Sequence, residues 1–403
     1  MTRRDTTPTT ILLLGCAAAV ATAASARQWG PSDAPRRPAP APSPASAPTP
    51  AQSTPATPAR PAADESGEYE AYSRLGYKLL WRAAPRIERR ASVLFFDPFG
   101  PRLAFQDTAN NLTVMDASTG ESIWTTQPDT ALARFVGNTI VGDTLYCASE
   151  GELFEIDART GEINQRHRLD QVVNTRPVIA GDVAVFGGAR GMLGHSLRST
   201  FRLWAYNTAA AITTDLAASP GATPRSPRAV GAIAQNGEIL ILDPANGRST
   251  GRAKIFGGAA GAPVASAELL FIASLDQSIY AYQINGGALR WRHRAEQPIT
   301  APPTLHENAL FVDIPGSGLT CFDAPSGLVR WVAKDVGGAV IGVRAGRLLV
   351  WDGETARALD PQRGDVIETS PLPGVRTLVC DPFVDGAIYA VTPAGRVSKF
   401  GPK

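Results

Sequence analysis

The sequence predicts an all-β fold: an eight-bladed β-propeller of four-stranded antiparallel blades, closed by an N-terminal strand at about Tyr77–Arg82 that completes the last blade. Three observations carry this reading. A unit of apolar strand, Asp, short turn ending in Gly, and second strand recurs along the chain. Its copies lie 36 to 50 residues apart, which brackets the roughly 40–45 residues of a four-stranded blade. An orphan strand of the outermost type stands at the N-terminal end, while the C-terminal copy lacks one.

The clearest copy runs through Thr113-Val114-Met115-Asp116 and Thr119-Gly120 to Trp124. Others centre on Asp157 with Gly161, Asp243 with Gly247, Gln283 with Gly287 and Trp291, Asp323 with Gly327 and Trp331, and Asp360 with Gly364. In each, the Gly follows four residues after the Asp position. An Asp carboxylate accepts backbone N–H bonds of a tight turn, and Gly supplies the positive φ that ends it. A degenerate copy is read at Leu203–Asn207, with Ala211 in place of the Gly. Strands such as Glu238-Ile239-Leu240-Ile241-Leu242 are apolar on both faces, so they are expected between neighbouring sheets. The following strand is more polar and carries a Trp whose ring can cover the next blade while its N–H finds an acceptor.

Strand counting locates the closure. Residues 386–400 give two strands, Ala387–Val391 and Arg396–Phe400, and no outer strand follows. Tyr77-Lys78-Leu79-Leu80-Trp81-Arg82 has the missing character and is expected beside Arg396–Phe400.

Ahead of the repeats the composition changes. Arg3 and Arg4 precede an apolar run from Ile11 to Ala24, which reads as an export signal. Ala24-Ser25-Ala26 suits cleavage after residue 26; Leu13-Leu14-Gly15-Cys16 suits a lipoprotein signal ending before Cys16, the lipidation candidate. Both remain open. Residues 27–66, rich in Pro, Ala, Ser and Thr, cannot bury enough apolar surface to order themselves and read as a disordered tether. Residues 67–403 form the propeller, expected to be monomeric as a folded unit. Its localisation is expected in the periplasm or cell envelope.

The net charge of +2 argues against a nucleic-acid footprint. Cys147, Cys321 and Cys380 are widely spaced and read as buried free thiols. The histidines His167, His195, His293 and His306 show no metal-ligand spacing, and no phosphate loop or nucleophile elbow is present. Arg166-His167-Arg168 and Arg292-His293-Arg294 occupy equivalent places and are read as charges on exposed outer strands that block edge pairing.

The Asp, Thr-Gly and Trp positions resemble the pyrroloquinoline-quinone-like propeller repeat family over about residues 70–403. Within it, export, tether and modest length are similar to the propeller component of bacterial outer-membrane protein assembly machinery. That resemblance implies a lipoprotein scaffold that binds an envelope protein and performs no chemistry. The family's enzymes, quinone-dependent dehydrogenases, are longer and carry adjacent cysteines and acidic calcium ligands beside the quinone; no such set is found here. No cofactor or metal is therefore expected. A quinone-dependent dehydrogenase and a ligand- or glycan-binding sensor remain the alternatives.

The repeat breaks most in the third blade. Ala189–Thr200 is read as an insertion between its second and third strands, with Arg190, Met192, Leu193, His195, Leu197 and Arg198 as partner-binding candidates. Ala217–Arg228 is read as a long connection after the fourth strand. Both loops are expected side by side on one face.

Overall fold

The computed structural model describes residues 63–223 and 227–403. The signal segment, Cys16 and all but the last residues of the expected tether lie outside them. A helix, α1 (Ala63–Arg74), leads into strand β1 (Tyr77–Ala83). Blade 1 follows as β2 (Val93–Phe99), β3 (Arg102–Asp107), β4 (Leu112–Asp116) and β5 (Ser122–Thr126). Blade 2 is β6 (Phe135–Val141), β7 (Thr144–Ser149), β8 (Glu152–Asp157) and β9 (Ile163–Arg168). Blade 3 is β10 (Val178–Ala180), β11 (Val183–Gly188), β12 (Gly191–Ser196) and β13 (Arg202–Asn207). Blade 4 is β14 (Ala217–Ser219), β15 (Ala229–Ile233), β16 (Glu238–Leu242) and β17 (Ser249–Lys254). Blade 5 comprises β18 (Val264–Ala265), β19 (Leu269–Ser274), β20 (Ser278–Gln283) and β21 (Leu289–Arg294). Blade 6 comprises β22 (Thr304–His306), β23 (Ala309–Ile314), β24 (Gly318–Asp323) and β25 (Val329–Ala333). Blade 7 comprises β26 (Ala339–Arg344), β27 (Arg347–Trp351), β28 (Thr355–Leu359) and β29 (Val366–Pro371).

The last sheet closes the ring as expected. Its order is β1, β32 (Val397–Pro402), β31 (Ala387–Val391), β30 (Thr377–Asp381). Tyr77 pairs with Pro402 and Ala83 with Val397, so the first described strand is the outer edge of the final blade. In each blade the first strand abuts its counterparts around the axis, except that this contact is weaker between blades 3 and 4. The second and third strands are buried and the fourth faces solvent, as the patterns of β3, β4 and β5 show. Side chains of adjacent sheets interdigitate into separate apolar layers, for example Phe271, Ile279 and Phe322 between blades 5 and 6.

The repeat residues form a stitch between blades. The Asp116 carboxylate accepts from Ser118 and Thr119 N–H at 2.7 and 3.1 Å, and Asp157 does the same with Arg159 and Thr160. The Ser118 hydroxyl, which also donates to Asp116, and these backbone bonds hold the Asp116 carboxyl below its ordinary range, and the backbone bonds do the same for Asp157. Gly120, at φ +78°, closes the turn by donating to the Asp116 carbonyl at 2.8 Å. The Trp of the preceding blade then lies over that Gly: Trp81 over Gly120, Trp124 over Gly161, Trp204 over Gly247, Trp291 over Gly327 and Trp331 over Gly364. A side chain at Gly120 would lie 2.6 Å from the Trp81 ring. Each indole N–H donates to the carbonyl just after the repeat Asp, at 3.1 Å from Trp81 to Ala117 and 2.9 Å from Trp331 to Pro361. Five of the eight junctions carry this contact.

Two expectations fail in blade 3. The supposed insertion is the blade's third strand, β12, whose Met192, Leu193 and His195 are 1–2% exposed. Leu203–Asn207 is the outer strand, not the third, so the true repeat there is Ser196, Thr200 and Trp204. Thr200 takes the glycine's place at φ +60° and donates to the Ser196 carbonyl at 3.1 Å. Gly191-Met192-Leu193-Gly194 concealed the strand because two glycines interrupt its apolar alternation. Both are required by close approach: a side chain at Gly194 would lie 2.3 Å from the Trp204 ring, and one at Gly191 would strike the Tyr206 carbonyl.

The second failure follows. Residues 217–219 are the inner strand of blade 4, so the long segment 220–228 joins a first strand to a second. Helix α1 was also not anticipated, and it begins inside the stretch assigned to the tether. Its sequence is polar; what fixes its end is tertiary, with Tyr72 stacked on Phe400 at 3.6 Å and the Ala71 carbonyl accepting from Ser370 at 3.0 Å.

Candidate functional site

Antiparallel meandering strands divide the connections between two faces. The second-to-third turns and the links between blades emerge on one face, called lower here; the remaining turns emerge on the upper face. Of the six partner-binding candidates, Arg190 lies in the lower turn between β11 and β12, and Arg198 lies in the upper turn between β12 and β13. Met192, Leu193 and His195 are core residues, and Leu197 packs half-buried against the layer between blades 2 and 3. The six therefore do not form one surface. Arg198 pairs with Asp182 at 2.7 Å. Burying an apolar strand between sheets outweighs its exposure to any partner, which is why Met192 and Leu193 cannot be anchors.

The structure instead brings together groups the sequence left apart. At the junction of blades 2 and 3 the Trp position is Gln165, and a buried chain of polar side chains joins the sheets. His167 Nε2 lies 2.8 Å from a Glu155 carboxylate oxygen, and its Nδ1 lies 3.2 Å from His195 Nε2. His167 was expected on an exposed strand; it is fully buried, whereas its neighbours Arg166 and Arg168 are exposed. Alternation along β9 places it inward, and only the paired strand shows that His195 meets it.

This pair gives a pH dependence. One proton can sit between the two rings; a second would set two N–H groups against each other. Burial and the neighbouring His167 hold His195 below its ordinary value, partly offset by Asp170. An unfolded His takes a proton near pH 6.5. Between that value and the lower folded one, the unfolded chain binds more protons, so stability falls as the pH drops through this window. The urea midpoint is expected to be lower at pH 5.5 than at pH 8, with a smaller difference in His195→Gln. His293, also lowered by burial, supplies a residual slope. An unchanged difference in the variant removes the pair as its source.

Along the channel wall, Arg176 ties three blades together. It donates to Asp97 at 3.1 Å and to Asp215 at 2.8 Å, with its own Cβ packed against Gly137 of blade 2. Asp97, on the inner strand of blade 1, is nevertheless raised above its ordinary value because burial outweighs Arg176.

A quinone and calcium site does not fit these residues. Asp97, on the innermost strand of blade 1, and Asp215 are engaged by Arg176. Among the described residues, no three His, Cys, Asp or Glu side chains gather where a metal could be held. Cys147, Cys321 and Cys380 are free, buried and in different blades, and burial pushes the thiols of Cys321 and Cys380 up to about 11.

Comparison with known proteins agrees with this architecture. No curated protein matches the chain. Its backbone is similar to the crystal structure of BamB from Moraxella catarrhalis, with a TM-score of 0.63 and 18% identity over 81% of this chain and 97% of that one. It is equally similar to the computationally designed Ika8 protein, with a TM-score of 0.63 and 12% identity over 78% and 97% of the two chains. The family model described as outer membrane protein assembly factor BamB matches residues 65–282 and 235–401. With the Asp-Gly-Trp stitch repeated around a closed ring of eight blades, the chain belongs to this BamB-type, pyrroloquinoline-quinone-like propeller family.

Proposed function

We propose that this protein is a non-catalytic scaffold of the bacterial cell envelope that binds another envelope protein during outer-membrane protein assembly. The observation that carries this reading is that the repeated Asp residues serve the structure of the ring. Asp116, Asp157, Asp243, Asp323 and Asp360 all accept turn N–H bonds, so the repeated carboxylates hold the turns of the ring. Family membership supports the assembly role. An export signal and lipidation at Cys16 would place the propeller on the periplasmic side of a membrane.

Cross-linking in intact envelopes, followed by identification of the captured protein, tests the scaffold. An outer-membrane assembly component is expected; none captured from any face defeats the reading. The enzymatic alternative has a separate test. Pyrroloquinoline quinone and calcium, added with alcohols or sugars, are expected to give no dye reduction above a protein-free control. Sustained turnover would overturn the scaffold assignment.

A further inference from the structure

We propose that the lower face of blades 8 and 1 is a docking site for an acidic polypeptide segment; this rests on the scaffold reading and specifies where, and by what chemistry, a partner is held. Five arginines converge there from three connections. Arg86, Arg89 and Arg90 lie in the link from β1 to β2, Arg376 lies just ahead of β30, and Arg396 lies in the turn between β31 and β32. The three connections are contiguous. Gly395 packs so closely under Ile87 that a side chain at 395 would overlap it, and Arg376 N–H donates to the Val391 carbonyl at 2.8 Å, beside the same turn.

All five arginines are exposed, and none of their side chains has a hydrogen-bond or ion-pair partner among the described residues. Elsewhere some arginines find carboxylates, as Arg102 does with Asp143, Arg166 with Glu152, Arg202 with Asp170, and Arg344 with Asp385, at 2.7 to 3.2 Å, and others, such as Arg248 and Arg363, stand exposed without one; here five lie on contiguous connections. Glu88 stands in the same link, yet three guanidinium groups surround it in sequence. Between Arg86 and Arg89 opens a groove of about 530 Å³, with Ile87 and Glu88 on one side and Asn111 and Thr125 on the other. It offers charge, an apolar contact and side-chain hydrogen bonds to an extended chain.

The rest of the same face identifies the kind of partner. Exposed Glu296, Asp335 and Glu354 occupy the lower connections of blades 5 to 7, with exposed Lys334 beside Asp335. A flat anionic membrane laid on this face would press headgroups against those carboxylates as well. A polypeptide of limited width meets the basic sector alone, and the carboxylates of the blades that precede it fix its orientation by repulsion.

The test uses the full chain and a fluorescent decapeptide of alternating Asp and Ser. Binding is expected to weaken at least tenfold in Arg86→Ser/Arg89→Ser/Arg396→Ser. It is expected to be unchanged in Arg248→Ser/Arg363→Ser on the upper face, which also removes two exposed arginines. Raising salt on the unmodified protein should weaken it in parallel, a reading that needs no variant to fold. In Arg86→Glu/Arg89→Glu/Arg396→Glu, preference should switch to a Lys-Ser peptide. Absence of peptide binding, equal loss in the upper-face variant, or capture of phosphatidylglycerol vesicles in place of peptide would each overturn the proposal. A photoreactive residue at position 89, compared with one at 363 in intact envelopes, separates the two levels of the argument. Adducts from 363 but not 89 sink this site and leave the scaffold standing; adducts from neither sink both.

Discussion

A chain that begins at Ala84 is expected to lose its cooperative unfolding transition, whereas one that begins at Ala63 keeps it. Removing β1 strips the ladder that runs from Tyr77–Pro402 to Ala83–Val397 and exposes the full edge of β32. It also withdraws Tyr77, wholly buried between blades 7 and 8, and Trp81, which joins blade 8 to blade 1. A propeller is stable because each sheet is covered on both sides; one open seam uncovers two sheets together. The graded version is Trp81→Ala. Loss of a large, partly buried ring costs about 3 kcal/mol, or about 4 °C in a domain of this size. Trp81→Phe keeps a ring and loses the bond to the Ala117 carbonyl, costing about 1 kcal/mol. Calorimetry distinguishes these outcomes. A Trp81→Ala protein with an unshifted transition would show that the ring is closed by the strand ladder alone.

Gly364→Val is expected to cost about 3–5 kcal/mol, from two sources that act at one atom. The residue sits at φ +76°, where a branched side chain is strained by about 1–2 kcal/mol. Its Cβ would also lie 2.4 Å from the Trp331 ring, driving the indole from its seat and breaking its 2.9 Å bond to the Pro361 carbonyl. Gly100 supplies the comparison. It too has positive φ, +63°, but nothing lies within 4 Å of an added Cβ. Gly100→Ala should therefore cost only about 1 kcal/mol. Denaturant midpoints of the two variants separate backbone strain from loss of the Trp contact. Equal losses would remove the stacked ring from the explanation.

The stitch was legible because both its parts are local. Asp116 and Gly120 are four residues apart, and their hydrogen bonds close within one turn, so the pattern survives in the sequence wherever the turn does. Trp81 was assigned to the last blade by counting alone, since a missing outer strand at one terminus demands a spare one at the other. Blade 3 was misread for the converse reason. Gly191 and Gly194 are set by contacts with Tyr206 and Trp204 on the next strand, and Thr200 replaces the glycine that marks every other turn. With those signals gone, an apolar strand looked like an insertion, and buried Met192 and Leu193 looked like anchors.

The candidate surface was illegible for a different reason. Arg86, Arg89 and Arg90 are adjacent in sequence, but Arg376 and Arg396 reach them only because the ring closes there. The same holds for His167 and His195, which belong to different sheets. By itself the sequence determined the number of blades, the chemistry of the turns other than that of blade 3, and the strand that shuts the ring, because strand periodicity and turn hydrogen bonds act over a few residues. Only the tertiary structure decided which polar groups meet: which arginines find carboxylates, which gather unpaired on one sector of one face, and which histidines lie against each other. Those pairings depend on distances between blades, and no local propensity encodes them.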